Sequence, residues 1–175
     1  MSRANGAGAP AVVVVMGVAS SGKTSLGERL AEKLGWPFRD ADSFHPPANV
    51  AKMSGGIPLT DEDRKPWLAA IAAWIDELRT TGGHGIVTCS ALRKAYRDVI
   101  VGKRPDVALV YLKGSRELIG ERMAARQHHF MPPSLLDSQF ATLEEPGADE
   151  NPLVVQIEAS KEALVEQVVR ELRLG

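Results

Sequence analysis

Residues Gly17-Val18-Ala19-Ser20-Ser21-Gly22-Lys23-Thr24 form the pattern G-x-x-x-x-G-K-T, directly after the apolar run from Ala11 to Met16. That run is too short to cross a bilayer and is rich in valine, so it predicts a buried strand. Leu26, Leu30 and Leu34 then recur at helical spacing, and Gly35 supplies a stop. A strand, a glycine-rich turn and a helix in that order predict an α/β architecture. The turn also carries a chemistry. Its glycines let successive backbone N–H groups curl around a polyphosphate, and the following helix adds the positive end of its dipole. Lys23 suits the β- and γ-phosphates as a point charge, and the Thr24 hydroxyl suits Mg²⁺. Gly17, Val18, Ala19, Ser20, Ser21, Gly22 and Ser25 complete the expected nucleotide cradle. A glycine-rich turn with no ligand is the plain alternative.

Strand-like and helix-like patterns alternate along the rest of the chain. Apolar β-branched runs lie at 85–88, 107–112 and 153–157, with a weaker one at 37–41. Short continuous apolar strands separated by helices predict a parallel sheet buried on both faces. Trp67, Ile71, Trp74, Ile75 and Leu78 make one helical stripe; Leu164, Val165, Val168, Val169 and Leu172 make another, with Ser160 as its N-cap. Both stripes, tryptophans included, read as core. With 175 residues and no repeat or linker, the expectation is one doubly wound domain over 11–175 behind a loose Gly/Ala-rich leader, 1–10. A net charge of −1 argues against a nucleic-acid-binding surface, and nothing predicts a membrane partner. The single Cys89 excludes an intrachain disulfide and fits the reducing cytoplasm, where it reads as a buried thiol at a strand end.

In a doubly wound sheet, ligands sit beyond the carboxyl ends of the strands. Asp40 and Asp42 close the weak second strand, with His45 just after. Alternate residues of an extended segment point the same way, so both acids are expected to face the phosphate loop. There, one suits the Mg²⁺ water shell and the other suits a proton from an attacking hydroxyl; two solvated turn residues are the alternative. In Asp61-Glu62-Asp63-Arg64-Lys65-Pro66-Trp67, Thr60 or Asp63 suits the N-cap and Pro66 is expected in the first turn. A helix N-terminus disfavours cations, so Arg64 and Lys65 suggest an anionic ligand group such as a carboxylate. The third strand ends Thr88-Cys89-Ser90 rather than in an acid, which moves the expected metal duty to Thr24 and Asp40. Arg122 and Arg126 stand four apart on a helix, ahead of His128, His129, Phe130, Met131 and two prolines. Arginines beside a mobile segment suit closure over a nucleotide, with a solvated basic face as the alternative. The adjacent histidines lack zinc-ligand spacing.

With these motifs the chain resembles the small P-loop gluconokinases of the thermoresistant type, relatives of shikimate and adenylate kinases. The resemblance runs from Val14 onward, through the phosphate loop, Asp40-Ala41-Asp42-Ser43-Phe44-His45-Pro46, Lys52-Met53 and Gly56-Ile57-Pro58-Leu59-Thr60-Asp61. Its most specific carriers are Asp63-Arg64-Lys65-Pro66-Trp67 and Ser90-Ala91-Leu92. The resemblance implies ATP- and Mg²⁺-dependent phosphorylation of D-gluconate to 6-phosphogluconate. It implies a three-layer α/β/α P-loop kinase with a five-stranded parallel sheet, a mobile lid over about 122–140, and a homodimer. By the same analogy Asp40 lies near the metal with Thr24, and Asp42 holds the acceptor hydroxyl. Arg64, Ser90 and Arg93 line the gluconate pocket with His45 and Gln139, and Arg122 and Arg126 belong to the lid. Lys23, Asp42 and Arg126 are the expected catalytic groups, and 147–151 is a candidate adenine contact unless turn chemistry alone explains it. Ala19 departs from the serine expected in the loop. Another sugar-acid or shikimate-like kinase is the nearest alternative, and a non-catalytic nucleotide-binding regulator is a more distant one.

Overall fold

The computed structural model describes residues 9–125 and 133–174. Arg126 and the rest of 126–132 lie outside these residues, as does all of the expected leader except Ala9 and Pro10.

The first apolar run becomes β1 (Val12–Met16), whose five side chains are wholly buried. Burying a Val or Met side chain is worth roughly 1.5–3 kcal/mol, so this strand belongs at the centre of a sheet. It pairs in parallel with β3 (Gly85–Thr88) on one side and β4 (Val107–Lys113) on the other. The edges are β2 (Phe38–Asp40) and β5 (Leu153–Gln156), giving the all-parallel order β2-β3-β1-β4-β5. The five strands stand where the apolar runs placed them. The second is shorter than its run because the chain turns into a 3-10 segment, Ala41–Phe44.

Successive β1 side chains face opposite layers. Val13 and Val15 pack with Leu26 and Leu30 of α1 (Lys23–Leu34), Ile119 and Met123 of α5 (Arg116–Ala125), and Leu164 and Val168 of α7 (Lys161–Leu172). Val12, Val14 and Met16 pack instead with Trp67, Ile71 and Ile75 of α3 (Asp61–Thr81) and Ile100 of α4 (Lys94–Ile100). The result is the expected three-layer α/β/α domain. Two further helices are α2 (Pro47–Ser54) and α6 (Pro133–Thr142). Arg116 of α5 pairs with Asp137 of α6.

Helix starts follow side-chain chemistry. Ser160 caps α7 by accepting from the Ala163 N–H at 3.1 Å. Thr60 caps α3, accepting from the Asp63 N–H at 3.1 Å while the Asp63 carboxylate accepts from the Thr60 N–H at 2.9 Å. That reciprocal cap starts the helix at Asp61, so Pro66 sits in the second turn rather than the first. The proline removes the donor for the Glu62 carbonyl, a loss offset by the cap and by burial of Trp67 and Leu68 just beyond. Among the described residues, no helix is long and apolar enough to cross a membrane.

Candidate active site

β1 has neighbours reached by oppositely directed connections, so a crevice opens at its carboxyl end, where the chain forms the loop from Gly17 to Thr24. A side chain at Gly17 has no room: a Cβ would stand 2.6 Å from Ser21 Oγ and 3.2 Å from the Leu112 carbonyl oxygen. Gly22, with φ 99°, adopts a left-handed backbone that glycine accepts without strain, and caps α1. Ser20 adopts φ 65°, a conformation that costs a residue with a side chain on the order of 1 kcal/mol or more. The Ser20 and Ser21 hydroxyls are buried without a hydrogen-bond partner. Such groups are rare because each forfeits about 1–3 kcal/mol, so this strained loop is built for a polar occupant. α1 has no acid in its first turn, which leaves its positive dipole end uncompensated for an anion. Lys23 curls over the loop, its Nζ donating to the Gly17 and Val18 carbonyls at 2.9 and 3.0 Å.

One cleft opens on this cradle, and a second is tied to it by a hydrogen bond. One, of about 360 Å³, is walled by Ser20, Ser21, Gly22, Ser25, Arg122, Ile157, Ala159 and Lys161. Arg122 is held there by donating to the Ile157 carbonyl at 2.7 Å. The other, of about 430 Å³, is lined by Arg64, Ser90, Arg93 and Gln139 together with Met53, Trp67 and Tyr96. Gln139 links the second cleft to the loop, since its Oε1 accepts from the Ala19 N–H at 2.7 Å. At Ala19, where a serine is expected, the position uses its backbone N–H in this bond, not a side chain.

The second cleft has a rigid floor. Ala91 adopts φ 45°, and its carbonyl accepts from Arg97 Nη1 at 2.8 Å. Arg97 is 1% exposed and makes a paired ion contact with Glu150, at 2.7 and 3.0 Å. Glu144 clamps the same stretch, its N–H donating to the Leu92 carbonyl and its carboxylate accepting from the Lys94 N–H, both at 2.7 Å. Arg64 rests beside Tyr96, 5.7 Å from the ring centroid, and contacts Asp61 at 3.4 Å.

The acids approach differently from the strand reading. Asp40 ends β2, and its Oδ1 accepts from the Asp42 N–H at 2.9 Å, so Asp40 caps the turn that carries Asp42. The two carboxylates are neighbours through this turn, not through strand alternation. Burial, then the Asp40 charge, raises the Asp42 pKa above its ordinary 3.8, opposed by His45 and Lys23. Asp42 as a whole is exposed and is not among the residues lining either cleft, although its carboxyl senses both the loop lysine and the second acid. His45 stacks on Trp67 with centroids 4.5 Å apart, and burial lowers its pKa. β3 ends in the buried Thr88, whose hydroxyl has no partner, and no acid follows. The buried Cys89 thiol, pushed up to about 12, is no nucleophile.

A family-model comparison matches residues 19–173 to the shikimate kinase family. A gluconokinase of Gluconobacter oxydans is 45% identical, over 94% of this chain and 92% of its own. The chain belongs to the gluconokinase family. A crystal structure of a Sinorhizobium meliloti 1021 gluconokinase superposes with a TM-score of 0.82 at 42% identity, covering 95% and 93% of the two chains. A sugar kinase from Janibacter sp. HTCC2649 gives 0.84 at 46% identity, covering 95% and 96%. Membership of a family of ATP-using kinases accounts for the strained loop, its orphaned hydroxyls and its uncompensated helix end.

Against that membership, several sequence expectations change. Arg64, Ser90, Arg93 and Gln139 do converge on one cleft, and His45 stacks on Trp67, one of its lining residues. Lys65 does not join them; it pairs with Glu62 at 2.7 Å in solvent, as an i,i+3 helix neighbour. Residues 147–151 line no part of the cleft beside the loop. They form a turn whose Glu150 serves Arg97, and Ile157, Ala159 and Lys161 take the wall position instead. Trp67, read only as core, also lines the second cleft because it sits at the edge of its helical stripe, and Tyr96, which belongs to the family resemblance but carries no expected role, joins it from α4. Arg126, His128 and His129 lie outside the described residues.

Proposed function

We propose that this protein transfers the γ-phosphoryl group of ATP directly to the primary hydroxyl of D-gluconate, giving 6-phospho-D-gluconate. One observation carries the reading: the phosphate loop walls a cleft beside Arg122, and Gln139 of a cationic cleft containing Arg64 and Arg93 bonds to the same loop at Ala19. The Gly17–Thr24 amides and Lys23 hold the phosphates, and the ribose and base occupy the cleft walled by Arg122, Ile157 and Lys161. Arg64 and Arg93 answer the gluconate carboxylate, while Ser90 and Gln139 meet its hydroxyls. Asp42, with its raised pKa, orients the attacking hydroxyl and accepts its proton. Transfer is in line, without a covalent enzyme intermediate. Arg122 and Arg126 neutralise charge on the transferring group.

Mg²⁺ fits the available donors. Among the described residues, no group of three or more His, Cys, Asp or Glu forms a metal cage. The Thr24 hydroxyl and the Asp40 carboxylate are few and oxygen-only, which suits an ion that completes its shell with phosphate and water. Bound there, the ion would neutralise phosphate charge. The buried free thiol supports a cytoplasmic setting, and we expect a homodimer, to be checked by sedimentation velocity.

Steady-state kinetics with ATP and a panel of sugar acids, polyols and shikimate test the reading. Gluconate-dependent ADP release, with gluconate giving the highest kcat/KM, is expected. A different preferred acceptor would reassign the substrate, and ATP binding without acceptor-dependent turnover would favour the regulator.

A further inference from the structure

Asn49 of α2 is 2% exposed and touches two groups with one atom. Its Nδ2 lies 2.8 Å from the Asp63 backbone oxygen and 3.2 Å from His45 Nδ1. A backbone carbonyl only accepts, so the atom facing it must be the amide nitrogen; chemistry fixes which way the carboxamide points. That nitrogen carries a second hydrogen, directed at His45 Nδ1, which must therefore present a lone pair. The imidazole is then neutral, with its proton on Nε2. Burial and the Arg64 charge both lower the basicity of the ring, against the opposing pull of Asp42.

The ring is also fixed in orientation. It lies nearly parallel to Trp67, at 11°, and Trp67 is pinned by donating from Nε1 to the Ala41 carbonyl at 2.7 Å. Asn49 in turn is anchored on the first turn of α3, where Asp63 also holds Lys52 at 2.9 Å. Trp67 and Arg64, which line the cationic cleft, flank the ring. We infer that Asn49 is a positioning residue that holds His45 as the Nε2–H tautomer, so that the imidazole offers one fixed hydrogen-bond donor to an oxygen of the polyhydroxy-acid acceptor. Beside the acceptor-only Asp42 carboxylate, a donor makes the pair complementary to a hydroxyl, which both gives and takes a hydrogen bond. The inference rests on the acceptor assignment proposed above.

Nitrogen-15 NMR of the full-length, ligand-free protein at pH 7 reads the tautomer, with His45→Gln identifying the His45 signals. A bare Nδ1 with the proton on Nε2 is expected; a proton on Nδ1 overturns the inference. Asn49→Ala should give a mixed tautomer and raise the KM for gluconate about tenfold, the scale of one lost hydrogen bond, with the KM for ATP unchanged. A shifted tautomer with an unaltered KM for gluconate, or equal rises for both substrates, overturns it. His45→Gln, which keeps a donor, should retain more gluconate affinity than His45→Ala; equal losses count against the inference. The tautomer is read without substrate, so its failure is distinct from failure of the activity, which the acceptor panel decides alone.

Discussion

Lys23 and Asp42 stand out from their neighbours in sequence, and the role proposed for each supports a direct test. Lys23→Ala removes the ammonium over the cradle, and gluconate phosphorylation should fall to background in a coupled ADP assay. Asp42→Asn keeps the shape and removes the proton acceptor; kcat should drop by roughly 10²–10⁴ with little change in the KM for ATP. Because the Asp42 pKa is raised, the acid limb of kcat/KM for gluconate should lie above pH 3.8, with activity rising as Asp42 ionises. Asp63 shows the opposite sign. The Thr60 N–H and the Lys52 ammonium hold it at about 2, down from 3.8, so its stabilising contribution is present above pH 3.8 and lost as pH falls toward 2. Thermal melts across that window should show a smaller loss for Asp63→Asn than for the native chain; equal slopes would contradict the assignment. The place of Trp67 in the cleft was less legible, because a residue at the edge of an apolar stripe looks like core until the neighbouring loop is placed.

Helices and strands declared themselves through periodicity, caps and stops, and their junctions did so less well. Thr60 and Asp63 both looked like caps because each is one; only the reciprocal bond shows which residue begins the helix and strands Pro66 in the second turn. The 147–151 segment reads as a turn, yet its partner in α4 lies 53 residues away. Removing Glu150 leaves a buried guanidinium unpaired, so Glu150→Ala should cost about 3–5 kcal/mol in urea denaturation. Replacing both partners by apolar residues, as in Arg97→Met with Glu150→Leu, should restore much of that stability. The double variant would still lack the bond to the Ala91 carbonyl, and its KM for gluconate should rise while that for ATP holds.

Across the whole molecule, ligand binding and folding stability are coupled through the phosphate loop. ATP with Mg²⁺ at a hundredfold excess over Kd should add about 2.7 kcal/mol, which for this chain length raises Tm by roughly 5–10 °C. Lys23→Ala should melt at nearly the same temperature with and without nucleotide, whereas an equal shift in both proteins would separate the loop from ATP binding. The alternation of buried runs and amphipathic stripes, with one glycine-rich turn, determined the layers, the parallel sheet and the position of the cradle. Periodicity and turn chemistry act over a few residues, so such features survive without tertiary information. Which polar groups meet was decided only in three dimensions. Gln139 reaches Ala19 across 120 residues of chain, and Arg97 finds Glu150 across 53, because the parallel strand order brings segments distant in sequence side by side. No local pattern encodes such a meeting; packing of the layers creates it.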